Sequence, residues 1–297
     1  MRVTFSQSFR NASSDINLAA ERLAVAQAQV SSGRRISKAS DDPAGANSAI
    51  AGHATIGALD AYTKTADSTT SRLSIADSML SDIINKITAA QTAAISARGS
   101  VTTQSQRDAA AATLQAVSDS LLGDLNAQSH GSYLFSGSKA TTSPYTSTAG
   151  TVSAYQGNTT GVSVDLGQGR TAQMSFDGSA ITQGTDTVDV FSVLASLVTA
   201  AKTGNNTAIG LGLDALDRAF NRATLAQTQV GTSFAALDDV RATLSTERLD
   251  VSNQLSTTED ANIASAITTM TQADTAYRAA LAAFARIGNV SLMDYLK

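Results

Sequence analysis

Cysteine and tryptophan are absent, there are two prolines, and aromatic residues make up 5% of the 297 positions. Without a thiol, disulfides, thiolate metal ligands and cysteine nucleophiles are excluded, which suits a chain that crosses compartments unfolded. With so few large side chains, the sequence cannot fill a thick globular core. Ala, Ser and Thr dominate instead, and small residues suit long, thin helical layers in which helices approach closely. Basic clusters are missing too. The formal net charge is −4, and the densest cationic spot is Arg34, Arg35 and Lys38. That is too short for the basic face that nucleic-acid binding requires. No apolar run approaches the roughly 20 residues of a membrane span, so no membrane insertion is expected. The first ten residues, MRVTFSQSFR, lack the apolar stretch of a cleaved secretory signal. If the protein leaves the cell, it needs a different export route.

What the chain does have is heptads. Phe9, Ile16, Leu23 and Val30 recur every seventh residue, with Ala12, Ala19 and Ala26 three positions after the first three. Large residues at one seam position and alanine at the other describe a helix packed closely on a partner helix. Residues 37–43 (SKASDDP) interrupt the pattern. Asp42 suits an N-cap and Pro43 the first helical position, where a missing N–H costs nothing. A second helix is therefore predicted from Pro43, with Leu59, Ala66, Leu73, Leu80, Ile87, Ala94 and Val101 in one row. Tyr62, Thr69, Ala76, Ile83, Ala90 and Ala97 form the other row. About 55 helical residues would span roughly 80 Å, an unusual rod for a compact enzyme. A third helix is expected from about Ser105, antiparallel to the second because the connection is short.

From Gly131 to about Gly184, Gly, Thr and Ser rise and charged residues thin out. Val162, Val164 and Leu166 alternate with polar residues, as do Ala172, Met174 and Phe176 across Gly167-Gln168-Gly169, which predicts a β-hairpin. Tyr133, Leu134 and Phe135 suggest another short strand. Helix resumes near Val188. A long row then runs Ile209, Leu216, Ala223, Val230, Leu237, Leu244 and Val251, while Gln227, Arg241 and Arg248 interrupt its companion row. These polar positions are expected to be partly solvated or to set register. The phase slips at residues 258–262 and resumes at Ile263, Ile267, Met270, Tyr277, Leu281 and Phe284, marking a break between two packing environments. The terminal stripes have no neighbour close in sequence. They pair with each other or with other copies.

No constellation for chemistry emerges. The two histidines, His53 and His130, are expected on different helices, and without cysteine a zinc site would need a carboxylate cluster that is not there. Gly167, Gly169 and Ala172 match a dinucleotide fingerprint formally, but no helix follows to hold a pyrophosphate. Asp41 and Asp42 are adjacent and point differently, so capping accounts for them better than paired acid–base work. The two glycosylation-like triplets, at Asn158 and Asn205, carry no weight in so Thr-rich a chain. No catalytic residue, cofactor or metal is therefore assigned.

Residues 31–45, SSGRRISKASDDPAG, resemble the segment that follows the first helix in the flagellin superfamily. Within it, Ser40-Asp41-Asp42-Pro43 is similar to the hook-associated junction branch. So are Tyr133-Leu134-Phe135-Ser136-Gly137-Ser138-Lys139 with Pro144-Tyr145 and Tyr155-Gln156-Gly157-Asn158, and the ending Ser291-Leu292-Met293-Asp294-Tyr295-Leu296. The resemblance implies a mainly α fold: long antiparallel helical rods and terminal coiled-coil helices with a small inserted β-rich domain. It implies a non-enzymatic structural role in the extracellular flagellum, joining hook to filament, after unfolded export through the flagellar type III system with an export chaperone. It also implies a ring of about eleven copies, closed by repeating one contact around an axis. Flagellin and a neighbouring hook-associated junction protein are the implied partners. A flagellin filament subunit is the alternative reading, and a secreted helical adhesin a further one.

The division expected is an N-terminal assembly helix over 1–42, a long helical hairpin over 43–130 and a β-rich outer segment over 131–187. Core helices over 188–257 and a C-terminal assembly helix over 258–297 complete it. The candidate assembly interface is Phe9, Ile16, Leu23 and Val30 with Ile263, Ile267, Met270, Tyr277, Leu281, Phe284 and Leu292; Ser40, Asp41, Asp42 and Pro43 are the family-motif residues.

Overall fold

The computed structural model describes residues 5–99, 101–148, 150–167 and 169–295, with side chains from 7 to 286 over those stretches. Helix dominates. In chain order come α1 (Phe5–Ser32), α2 (Pro43–Ala97) and α3 (Gln104–Leu125). Among the described residues, six short strands follow: β1 (Gln128–Ser129), β2 (Ser132–Tyr133), β3 (Ser147–Thr148), β4 (Thr151–Val152), β5 (Ser163–Asp165) and β6 (Thr171–Gln173). Then come α4 (Gly178–Thr182), α5 (Val190–Thr203), α6 (Asn206–Glu259) and α7 (Ile263–Tyr295). The predicted break at 258–262 is the gap between α6 and α7.

Helix boundaries follow capping chemistry. The Asp42 side chain accepts from the Gly45 N–H (3.0 Å), capping α2 at the position where Pro43 opens it. Thr103 and Gln106 form a reciprocal capping box at the start of α3. Asp189 caps α5, and the Asn262 side chain accepts from the Ser265 N–H to start α7.

The chain forms two compact units. One comprises the two ends of the chain, up to Ala58 and from Thr246; the other runs Leu59–Ser245. In the Leu59–Ser245 unit the predicted row on α2 is buried from Leu59 through Ala94. Its last member, Val101, lies beyond the end of α2 and is exposed, because the helix stops at Ala97. Leu114 and Leu121 of α3, Leu194 and Leu197 of α5, and Leu216, Val230 and Leu237 of α6 fill the same core. Gln227 reaches Asp77 (3.2 Å) and Arg241 reaches Asp67 (2.8 Å), so these interruptions of the α6 row tie α6 to α2 in one register.

The strands make three separate antiparallel pairs, β1–β2, β3–β4 and β5–β6. The predicted hairpin is β5–β6, with Val164 opposite Ala172; the formal dinucleotide match is its turn, where Gln168 lies outside the described residues. His130 is not on a helix. It sits with Gly131 in the tight β1–β2 turn, both at positive φ (50° and 77°), the geometry of a type I′ hairpin. The hairpin region has no separate core: Leu134, Phe135, Tyr145, Leu166 and Phe176 belong to the same hydrophobic cluster as the helices.

Candidate assembly surface

The unit built from the chain ends places the two terminal heptads against each other. α1 packs along α7, and the rings of Phe9 and Phe284 meet with centroids 4.9 Å apart. Burial follows the seam. Ile16, Leu23 and Val30 are half-buried and Ala26 is buried, as the α1 pattern requires. α7 repeats that pattern: Met270, Tyr277 and Phe284 are half-buried at seven-residue spacing, and Ala266, Ala273 and Ala280 follow the other seam position, with Ala266 buried. Each helix thus brings large residues and alanines to the seam, which lets two backbones approach closely along one narrow interface.

The candidate residues therefore divide. Ile16, Leu23, Val30, Met270, Tyr277 and Phe284 belong to the seam within the chain, and Phe9, though 43% exposed, joins its end through the ring contact with Phe284. Ile267 and Leu281 do not: they are 46% and 41% exposed, and the heptad step between them is Asp274, paired with Arg278 (2.9 Å). Ile263, at the start of α7, follows the heptad but remains exposed. Leu292 lies outside the residues whose side chains are described. Two residues of the same kind had escaped the heptad count. Leu18 and Val25 on α1, each 48% exposed, lie seven apart and two positions after Ile16 and Leu23. With Glu21, Arg22, Thr269 and Ala276 they line a groove of about 620 Å³ along the α1–α7 pair. The signal was their own seven-residue spacing, masked by the stronger row beside it.

The motif residues are structural. Asp41 accepts from the backbone N–H groups of Ser37 (3.0 Å) and Lys38 (2.9 Å), and these bonds hold its carboxyl below the usual carboxylate range. Asp42 is held low by the Gly45 N–H and then by Arg35. Pro43 is the first residue of α2, and Ser40 is exposed in the turn before it. Among the described residues, no group of three His, Asp or Glu side chains could hold a metal ion, and no helix is long and apolar enough to cross a membrane.

Two terminal helices are paired seam to seam, and a helical unit that carries small β-hairpins lies between them in sequence. The sequence pattern of the bacterial flagellin N-terminal helical region matches residues 5–140. The flagellar hook-associated protein 3 of Salmonella typhimurium is 24% identical over 308 residues, covering 96% of each chain. A putative flagellar hook-associated protein from Vibrio parahaemolyticus superimposes with a TM-score of 0.68 at 20% identity, over 73% of this chain and 99% of that one. The flagellar junction protein FlgL from Legionella pneumophila gives 0.60 at 14% identity, over 72% and 100%. These findings support a flagellin-superfamily protein and, within that superfamily, the hook–filament junction type.

Proposed function

We propose that the protein is a structural subunit of the bacterial flagellum that joins the hook to the flagellin filament, and that its role is mechanical and not catalytic. The observation that carries this reading is the division of the terminal helices. The α1–α7 seam is occupied within the chain, yet Leu18, Val25, Ile267 and Leu281 remain exposed on the same pair. Fully burying an exposed side chain of this kind is worth about 1.5–3 kcal/mol; these four are 41–48% exposed, so covering the rest gives roughly half of that each, and repeated in every copy it favours lateral association. A closed ring of about eleven copies repeats that contact around its axis. Flagellin and a neighbouring hook-associated junction protein are the partners on either side. The chain travels to this extracellular place through the flagellar type III route, with an export chaperone.

A deletion strain examined by electron microscopy tests the proposal. Hooks without filaments, with flagellin released into the medium, are the expected result. Intact filaments would refute it. Purified protein that elongates filament seeds by itself would instead identify a filament subunit.

A further inference from the structure

Two interruptions of the helical pattern meet, although Arg35 and Thr258 are 223 residues apart in sequence. The first is the connection between α1 and α2; the second is the gap between α6 and α7. Gly33 ends α1 in a left-handed conformation (φ 69°), with its N–H donating to Gln29 C=O, and its own C=O accepts from the Ala261 N–H (2.8 Å). The N–H groups of Arg35 (2.7 Å) and Ile36 (3.4 Å) donate to the C=O of Glu259, the last residue of α6. The Arg35 guanidinium donates to Thr258 C=O (2.7 Å). The last carbonyls of a helix have no partner inside it and carry its negative pole. The last two in α6, those of Thr258 and Glu259, are capped by Arg35 and Ile36 from the connection near the other end of the chain.

The Glu259 side chain secures this cap. It is only 9% exposed; Oε1 pairs with Arg34 Nη1 (2.7 Å) and Oε2 lies 2.9 Å from His53 Nε2. Ile36 is buried beside it, against Gly45, where a Cβ would come within 2.4 Å of the isoleucine Cδ1. Arg35 also pairs with Asp42 (3.2 Å), which caps α2. A buried carboxylate deprived of a charged partner is costly, so these contacts stand or fall together.

We propose that residues 33–36 and Glu259 form a lock at the root of the terminal helices. Closed, it makes α1 and α7 leave from one point and hold their common seam; open, it lets the two helices separate. This gives the SSGRRI segment a mechanical task in the free chain, whichever neighbours the helices later meet.

The test uses the full-length protein in solution. Trypsin cleavage after Arg34 and Arg35, followed by mass spectrometry, reports opening of the lock. The absence of native cysteine allows spin labels at Val25→Cys and Gln272→Cys to report separation of α1 from α7. The parent should resist cleavage there and show one narrow label distance. Glu259→Gln should speed cleavage after Arg34 and Arg35 by about tenfold, the order expected for loss of a charge-assisted hydrogen bond, and broaden the distance distribution. Melting of the helical signal serves as the control for folding. Arg34→Ala, which removes a half-exposed partner and with it one cleavage site, should speed cleavage after Arg35 and broaden the distance by less, and it carries the test if Glu259→Gln does not fold. A broad distance in the parent, or folded variants with unchanged cleavage and distance, would overturn the lock.

Discussion

Arg72 shows what a single side chain contributes here. Buried on α2, it donates from Nε to Met174 C=O (2.6 Å) and from its terminal nitrogens to Tyr133 C=O (2.9 Å) and Ser129 C=O (3.4 Å). One planar fork thus ties three points of the β segment to a helix. Arg72→Met should lower the stability of the Leu59–Ser245 unit by about 2–4 kcal/mol in a denaturant titration, since it leaves buried carbonyls unbonded. Arg72→Lys should not restore it, because a point-like ammonium cannot reach three separated carbonyls. The β5–β6 turn offers a second contrast. Gly167 (φ 87°) and Gly169 (φ 76°) are both left-handed, but a Cβ on Gly167 would lie 2.6 Å from the Tyr62 ring, whereas Gly169 faces open space. Gly169→Ala should cost about 1–2 kcal/mol of backbone strain, and Gly167→Ala clearly more, measurable as a larger fall in melting temperature. At this scale the sequence was partly legible. The capping role of Asp42 follows from its place before a proline. The role of Arg72 does not, since its partners are backbone carbonyls, which carry no residue identity to search for.

Helices were the most legible elements. Their seven-residue rows state which face is covered, and the structure buries the rows of α2 and α6 accordingly. The terminal helices were legible in existence but not in allocation, because one stripe of large residues on α7 contains both inward and outward positions. Tyr277 and Leu281 separate the two by experiment. Tyr277→Ala removes a seam residue, so it should loosen the isolated chain, with faster hydrogen exchange across α1 and α7. Leu281→Asp places its charge at a 41% exposed site, so the isolated protein should keep its helical signal and melting profile. If the outward rows are the assembly contacts, the same substitution should still block filament attachment in cells, by burying an unpaired charge in an intermolecular contact. A Leu281→Asp strain with normal filaments would remove α7's outer row from the assembly surface. The short strands were less legible for a physical reason. Two- and three-residue ladders are too brief for alternation to register, and β1–β2 is announced only by the His130-Gly131 turn.

Over the whole molecule, the strongest structural fact is that distant stretches of sequence share cores. Tyr145 packs its ring at a tilt against Phe191 (centroids 5.2 Å apart) and hydrogen-bonds Thr182 (2.6 Å), carrying the hairpin region into the helical core. Deleting residues 140–180 would remove Tyr145, Leu166 and Phe176 from one cluster together. The shortened chain should melt lower by on the order of 10 °C or more, with a broader transition, since each large buried side chain lost costs several kcal/mol. An unchanged, sharp melt would show that the hairpins ride on a self-sufficient helical core. The pairing of Gln227 with Asp77, 150 residues away, has a kinetic consequence as well. Contacts between residues so far apart must close large loops before they reward the chain, so they form late. Growing from its N-terminus, the chain cannot make these contacts until most of its length is present. Delay is then a property of the topology itself, and it lengthens the time during which the polypeptide remains a thread.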